Sequence, residues 1–432
     1  MKGREASRLS QELADRVRAP TPGAEGMVGL EHEYSLSDSG RQVDFRSLIH
    51  RLELGRPNLD PGDPNAYRMR SGSVWTCDGR EAEIALPPSV RGGRFGATMA
   101  RRAAQEETSL RRALPGRLRL QGCSTHISVS APDSMTHAAA AMYARTFAPA
   151  MMLMLDGPGS PGLLVRPRPG RVELCGEYLA GDRLAAAISF AVGSVMACLA
   201  ALGGRQGGAH TLPPVLAVMP EPARERYGWY IDRRAFGPDL YVAGRGTTLE
   251  LAGGGWTSGQ RQLELSWESA RIAIEPHLEP EDAAQVDALV AGTARLPIEA
   301  PVFPHSPATS EGPLAPPEPD PDVDRVLCEI RRPGFALAPV MATWDTMVLL
   351  VLAAAGAPRA FMSLPAPALP AFGRALSAGD LDDVLLRYLA VGSSRRRLRR
   401  RADALRVGLH DSIGPRRSLL PLEPAGDRRA TG

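Results

Sequence analysis

Two short segments in which glutamates stand at alternate positions constrain this chain more than any other feature. Glu31 and Glu33 lie in the segment GLEHEY, and Glu81 and Glu83 lie in DGREAEIA, shortly before two prolines. Because side chains along a β-strand alternate between its two faces, each pair of glutamates would share one face. Neighbouring like charges repel, so this pattern costs stability unless a cation lies between them.

In two further segments, polar side chains also stand at alternate positions, as they would along one face of a β-strand. GCSTHISVS would present Ser124, His126 and Ser128 on one face, and RVELCGE would present Arg171 and Glu173. Taken singly, alternating acids usually mark a solvated sheet face, and a lone histidine is usually a packed imidazole. Together, the four segments predict one sheet whose polar face collects carboxylates, an imidazole and at least one arginine. Such oxygen ligands suit magnesium or manganese, and magnesium ordinarily bridges to nucleotide phosphates.

The overall charge of the chain indicates which classes of partner it is expected to bind. The chain carries 51 basic and 48 acidic residues, a formal net charge of +3. A general nucleic-acid or membrane-surface binder would be strongly basic, so neither partner is expected. Lys2 is the only lysine, so arginines must provide any phosphate contacts within the fold.

Cysteine usage and the N-terminus bear on location. The five cysteines are scattered and form no C-x-x-C pair, which favours reduced thiols and a cytoplasmic protein. The N-terminal residues are polar and lack the apolar stretch of a signal peptide. The apolar run 184–203 is rich in alanine and glycine, and we expect a buried core helix there rather than a membrane span.

The pattern along the chain predicts an α+β protein in four parts. We expect a loose polar leader over 1–24, a catalytic domain over 25–298, a proline-rich linker or loop over 299–322, and a mainly helical region over 323–432. Helices are predicted at 97–113, 134–155 and 182–203, and the apolar run 340–356 is included in the helical C-terminal region.

The order of these motifs resembles the glutamine synthetase and glutamate–cysteine ligase superfamily of carboxylate–amine ligases, in particular the type 2 glutamate–cysteine ligases. The matching positions are Gly29, Glu31 and Glu33 for G-x-E-x-E, Glu81 and Glu83 for an acidic strand ending near proline, Gly122 and His126 for G-x-x-x-H, and Arg171 and Glu173 for R-x-E-x-R. The resemblance covers about residues 28–180. Its last arginine is replaced here by Cys175, for which Arg166, Arg168 or Arg183 could substitute.

The resemblance implies a glutamine-synthetase-like fold, a curved antiparallel sheet with helices on its outer face. It also implies an ATP- and Mg²⁺-dependent ligase, with Mn²⁺ as an alternative metal, that forms an amide bond through an acyl-phosphate. The implied metal ligands are Glu31, Glu33, Glu83 and Glu173. Glu81 would bind metal or orient the amine, Arg171 and His126 would contact phosphates with Arg166 and Arg168, and Ser124 and Ser128 would support the nucleotide or the carboxylate substrate.

Two other functions stay open on the same fold. One is an amide hydrolase or deamidase, and the other is a nucleotide-binding protein that has lost turnover. For the ligase, the expected partners are a small-molecule carboxylate, such as an amino acid, and an amine. The sequence leaves the identity of both substrates open, and also whether the chain forms a homo-oligomer.

Overall fold

The computed structural model describes most of the chain between residues 26 and 390. The first described range is 26–299, except for 53, 55–64, 205–211, 218–220 and 223–227. The later ranges are 321–327, 330–342, 346–353, 359–365 and 368–390. Some positions within 8–17 and within 315–318 are also described. Most of the predicted linker 299–322, and everything after 390, lies outside these residues.

Eleven strands pair into one sheet, and every pairing is antiparallel. In chain order they are β1 Met27–Asp38, β2 Arg41–Val43, β3 Tyr67–Arg68, β4 Val74–Asp78, β5 Glu81–Ala85, β6 Ser89–Val90, β7 Leu118–Ser130, β8 Gly162–Arg168, β9 Arg171–Glu177, β10 Glu221–Pro222 and β11 Trp229–Asp232. The order across the sheet is β10-β11-β8-β9-β7-β1-β5-β4-β3, and β2 and β6 pair with β1. Strand β1 therefore lies between β7 and β5.

The alternation that the sequence predicts is present in β1. Every second side chain from Val28 to Leu36 is buried, and the side chains between them are only partly buried. The buried face belongs to a large hydrophobic core that also contains Ile127 of β7 and Leu174 of β9. The opposite face carries the predicted polar residues.

The helices of this part of the chain cover the buried face. They are α1 Arg46–Ile49, α2 Phe95–Ala113, α3 Asp133–Thr146, α4 Ala148–Leu155, α5 Gly181–Leu202, α6 Leu240–Ala243, α7 Gly259–Ile274 and α8 Pro280–Val290. The predicted helices 97–113 and 182–203 correspond to α2 and α5, and 134–155 is divided into α3 and α4. The α+β class, with a large antiparallel sheet and helices packed on it, is confirmed for the described residues.

Helix α5 is the central helix of this layer and packs against α2, α3, α7 and α8. Among the described residues it alone is long and apolar enough to cross a membrane, although α3 and α4, bent by 76° from each other, would pass the same criterion as one span. Within α5, 78% of the most apolar window is buried inside the protein. The prediction of a buried core helix at 184–203 is confirmed.

The C-terminal region requires a correction, because its described residues are not mainly helical. A second antiparallel sheet contains β14 Ile330–Arg332, β15 Phe335–Ala342, β16 Thr346–Ala353 and β17 Arg359–Pro365, while β12 Thr248–Glu250 and β13 Trp256–Ser258 form a separate hairpin earlier in the chain. The helices of the region are α9 Pro321–Val326, α10 Leu369–Ala378 and α11 Asp382–Ala390. The apolar run 340–356, predicted as helix, contains the last three residues of β15 and the whole of β16, the central pair of this sheet.

The N-terminal segment also differs from the prediction of a loose leader. Leu9, Leu13 and Val17 are buried in the hydrophobic core of the C-terminal region, and their spacing places them on one side of a helix. Arg16 Nη2 is 3.2 Å from Asp383 Oδ2 of α11. The described residues within 8–17 are therefore packed, because Leu9, Leu13 and Val17 share one face.

Candidate functional site

The strand register brings the predicted polar residues together on one face of the sheet. Glu33 lies opposite Glu83 of β5 on one side and opposite Ser124 of β7 on the other. Glu31 lies opposite His126. The face sharing that was inferred from sequence is therefore present, and the two glutamates of β1 are central to a polar surface, here called the polar face.

One part of the polar face is a cluster of carboxylates. Glu33, Asp78 and Glu83 each offer an oxygen atom, and these atoms lie within 4.8 Å of one another. Asp78 was not assigned a role from the sequence, although it ends β4 and pairs with Glu81 across the hairpin. The signal that could have revealed it is the short turn between β4 and β5, which returns Asp78 towards the acidic face.

The environment of Glu33 suits a bound cation. Ser124 Oγ donates a hydrogen bond to Glu33 Oε2 over 2.6 Å. Glu33 Oε1 is buried without a hydrogen-bond partner and lies 3.6 Å from His126 Nε2. Burial raises the pKa of Glu33, and Asp78 raises it further, whereas His126 and Ser124 oppose the shift. A divalent cation would satisfy the buried oxygen and remove the repulsion, so the donor set of the cluster fits Mg²⁺ or Mn²⁺.

Three arginines surround Glu173 on the other side of the polar face. The Nε atoms of Arg166 and Arg168 both lie 2.9 Å from Glu173 Oε2, and Arg171 Nη2 is 4.0 Å from Glu173 Oε1. Burial alone would raise the pKa of Glu173, but the three guanidinium groups lower it. Three cations against one carboxylate leave this part of the polar face positively charged.

Arg166 also contacts Cys175, the position at which the resemblance implies an arginine. Its Nε and Nη2 atoms donate to Cys175 Sγ over 3.2 and 3.0 Å. The side chain of Arg166 is only 8% exposed. A guanidinium group from β8 therefore stands beside Cys175 on β9.

Glu31 and His126 lie between the acidic and the cationic parts. His126 Nδ1 is 3.4 Å from Glu31 Oε2. Burial alone would lower the pKa of His126, but the hydrogen bond to Glu31 and the charges of Glu31, Glu33 and Glu173 raise it above its ordinary value. Ligand atoms of Glu31, His126 and Glu173 also approach within 4.8 Å of one another. Since Arg166 and Arg168 already bond Glu173 Oε2, we regard this second group as the weaker candidate for a cation.

The remaining predicted residues lie near the polar face, and Glu81 shares the face of Glu83 on β5 but lies outside the carboxylate cluster. Ser128 Oγ accepts a hydrogen bond from Arg171 Nε over 3.2 Å. Glu81 accepts hydrogen bonds from Gln42 Nε2 over 3.2 Å and from the backbone N–H of Arg80 over 3.0 Å, at the turn between β4 and β5. Neither group of potential ligands found among the described residues includes Glu81.

A further carboxyl group, absent from the sequence prediction, lies where α4 ends. Asp156 is fully buried, accepts a hydrogen bond from the backbone N–H of Glu177 over 2.8 Å, and is bonded to the hydroxyl of Tyr241. Burial raises the pKa of Asp156 to about 7, although both hydrogen bonds oppose the shift. The Glu177 carboxylate, at the end of β9, accepts from the N–H of Gly157 over 2.7 Å. The loop after α4 is thus tied to the edge of the polar face.

Comparison with known proteins gives distant structural matches. No family model and no curated protein matches the sequence. One solved structure, a complex between the prokaryotic ubiquitin-like protein Pup and its ligase PafA, has 15% identity and a TM-score of 0.37, covering 62% of this chain and 64% of that chain. A second, the Pup ligase PafA in complex with ADP, has 13% identity and a TM-score of 0.29, covering 57% and 63%. This chain spans under two thirds of the length of either of these chains.

Proposed function

We propose that this protein is an ATP- and Mg²⁺-dependent carboxylate–amine ligase that forms an amide bond through an acyl-phosphate. One observation carries the proposal: a cluster of carboxylates and a cluster of arginines lie side by side on one face of the sheet, joined by Glu31 and His126. A magnesium nucleotide presents a cation and an anionic phosphate chain together, so its binding site needs both carboxylates and arginines.

Within this proposal Glu33, Asp78 and Glu83 would hold Mg²⁺, with Glu31 at the border of the cluster. When bound, the metal neutralises phosphate charge during phosphoryl transfer. Ser124 bonds one oxygen of Glu33, and the other oxygen is buried without a hydrogen-bond partner, so it is available to a cation. Glu81 lies outside the cluster, and we propose for it a role in orienting the amine rather than in binding metal.

Arg166, Arg168 and Arg171 would contact the phosphates. Glu173 keeps the three guanidinium groups close together despite their mutual repulsion. A phosphate bound beside them would gain charge-assisted hydrogen bonds in a partly buried setting. The catalytic contribution is then positioning and charge stabilisation, which is what phosphoryl transfer to a substrate carboxylate requires.

The substrates we propose are a small carboxylate, such as an amino acid, and an amine. Glutamate with cysteine is the first pair to assay, because the motifs resemble those of type 2 glutamate–cysteine ligases. We propose the cytoplasm as the location, since Cys77, Cys123, Cys175 and Cys198 are all free thiols.

The test begins with calorimetric titration of ATP, with and without MgCl₂, into the wild type and a Glu33→Gln, Glu83→Gln double variant. We expect Mg²⁺-dependent binding that the double variant loses, while Glu81→Gln retains it. ADP release should then require both a carboxylate and an amine. Release of ammonia or an amine from an amide without net ATP consumption would show the hydrolase instead, and nucleotide binding with neither reaction would show a protein without turnover. A folded wild type that binds no ATP would refute the proposal.

A further inference from the structure

The strand register extends the polar face to one further carboxylate, Glu177 of β9. Glu33 lies opposite Glu83 on one side and opposite Ser124 on the other, and Ser124 in turn lies opposite Glu177. Because directly opposed residues of neighbouring strands share a face, the side chain of Glu177 belongs to the polar face. Neighbouring strands are about 4.8 Å apart, so the Cα atoms of Glu33 and Glu177, two strands apart, are separated by about 10 Å.

Hydrogen bonds with the loop after α4 hold Glu177 in position. Its Oε2 atom accepts from the backbone N–H of Gly157 over 2.7 Å, and its own backbone N–H donates to Asp156 Oδ1 over 2.8 Å. Arg233 fixes this loop in turn, since its Nη1 atom donates to the carbonyl oxygen of Pro158 over 2.8 Å. The carboxylate is therefore placed before any ligand binds.

The charge of Glu177 is not neutralised by any side chain that the structure describes. Glu31 and Glu33 lie 3.4 and 3.6 Å from the two ring nitrogens of His126, and Glu173 lies among three arginines. Among the described residues, Glu177 forms no such ion pair, and its Oε1 atom accepts no hydrogen bond. A partly buried carboxylate without a counter-charge is a binding position for a cation.

The cation that suits this position is an ammonium group rather than a further metal ion. Neither group of potential metal ligands among the described residues includes Glu177. A divalent ion needs several oxygen ligands, whereas an ammonium group, with its N–H donors, can be bound by a single carboxylate. Cys175 lies two residues before Glu177 on the same face, and Leu164 of β8 lies opposite Cys175. This short apolar surface suits the carbon chain of a small ligand.

We propose that Glu177 binds the ammonium group of the carboxylate substrate, which is therefore an amino acid. The proposal rests on the ligase function proposed above. The substrate carboxylate lies beside the metal at Glu33, Asp78 and Glu83, and its ammonium group reaches across β7 to Glu177. The role proposed for Glu81, orientation of the amine, belongs to β5 on the opposite side of the cluster.

The experiment measures ADP release by the full chain with Mg·ATP and hydroxylamine, an amine that is uncharged at neutral pH. Glutamate, aspartate and alanine are each compared with the acid that lacks the ammonium group, namely glutarate, succinate and propanoate. We expect the wild type to have a kcat/KM at least about tenfold higher for one or more of the amino acids than for its counterpart, the effect of one charge-assisted hydrogen bond. The variant Glu177→Gln should lose this preference.

Glu177→Gln is a narrow change, because the amide oxygen can still accept the hydrogen bond from Gly157. A purely structural role would lower the rates with both members of a pair, whereas loss of ammonium binding lowers the rate with the amino acid alone. Glu177→Asp keeps the charge and should retain part of the preference. Glu268→Gln, at an exposed glutamate of helix α7 outside the polar face, is the matched control and should retain all of it. Melting temperatures show whether each variant is folded.

Three results would overturn the assignment of Glu177. They are equal use of the amino acids and their counterparts by the wild type, an undiminished preference in folded Glu177→Gln, and absence of ADP release with every amino acid by a wild type that binds Mg·ATP. The first two leave the ligase proposal intact, because ADP is still released. Failure of the wild type to bind Mg·ATP, measured separately by calorimetry, refutes the ligase proposal itself.

Discussion

Glu33 and Glu83 lie directly opposite each other on the neighbouring antiparallel strands β1 and β5. Like charges in this position destabilise a sheet, by about 0.2–1 kcal/mol per pair. Asp78 adds a third carboxylate within 4.8 Å. Charge repulsion is therefore built into the centre of the sheet, and a bound divalent cation would convert it into attraction.

Replacing one member of this cluster tests that relationship. Glu83→Gln keeps the shape of the side chain and removes its charge, so the metal-free protein should gain up to about 1 kcal/mol in free energy of unfolding. It should also lose most of the rise in melting temperature that MgCl₂ produces in the wild type. Thermal unfolding in EDTA and then in MgCl₂ measures both effects.

Glu81→Gln is the control for this prediction. Glu81 lies two residues earlier on the same strand, but it bonds Gln42 outside the cluster. Its replacement should leave the response to MgCl₂ unchanged. A wild type whose melting temperature does not respond to MgCl₂ would contradict the assignment of a cation to Glu33, Asp78 and Glu83.

Much of the polar face could be predicted from sequence because alternation in a strand follows from backbone geometry alone. Within each strand, Glu31 could be placed on one face with Glu33, His126 with Ser124, and Glu173 with Arg171, before any pairing was known. Register could not be read from the same pattern, because it depends on which strands meet and where each turn lies. That is why Asp78, brought in by a hairpin, was missed.

The wrong prediction for the C-terminal region has a similar cause. The segment 346–353, TMVLLVLA, is a continuous apolar run without the period that distinguishes a helix from a buried strand. In the structure it forms β16, paired on both sides with β15 and β17. Its side chains Met347, Leu349 and Val351 are buried. Tertiary packing decided between two local structures that the sequence allowed.

The arginines of the polar face should contribute to nucleotide affinity. Arg168→Gln removes a guanidinium group that bonds Glu173 and is partly accessible, with 34% of its side chain exposed. Loss of one charge-assisted hydrogen bond to phosphate should weaken Mg·ATP binding by about tenfold to a hundredfold. Calorimetry measures this, with Arg119→Gln, an exposed arginine at the far end of β7, as control. Equal losses in the two variants would show a general charge effect instead.

Asp156 should make stability depend on pH. Its pKa is raised to about 7 by burial, whereas an aspartate in the unfolded chain has a pKa of about 3.9. The unfolded chain therefore releases the proton first, so the stability contributed by this group is complete below about pH 4 and is lost as pH rises to about 7. Asp156→Asn imitates the protonated form and removes this dependence.

The measurement is the free energy of unfolding of wild type and Asp156→Asn between pH 5 and pH 8. We expect the free energy of unfolding of Asp156→Asn to increase relative to that of the wild type as pH rises towards 7. Each unit of pKa shift corresponds to about 1.4 kcal/mol. Asp239→Asn is the control, because the pKa of Asp239 is shifted in the opposite direction. Burial alone would raise this pKa, but the hydrogen bond from Arg233, together with other interactions, lowers it. Its contribution should be constant over this range. A constant difference between wild type and Asp156→Asn would show that Asp156 is ionised throughout.

Arg166 should perform the role that the resemblance assigns to an arginine at the position of Cys175. The two side chains are in contact, with Arg166 Nη2 3.0 Å from Cys175 Sγ, so a guanidinium group could be supplied from either strand. Arg166→Gln should weaken Mg·ATP binding by at least about tenfold, since one charge-assisted hydrogen bond is lost. The exchange variant Arg166→Cys, Cys175→Arg should regain part of that affinity, because it returns the cation from β9. Melting temperatures identify variants that fail to fold. A folded Arg166→Gln variant that binds Mg·ATP as tightly as the wild type would show that the other arginines are sufficient for phosphate binding.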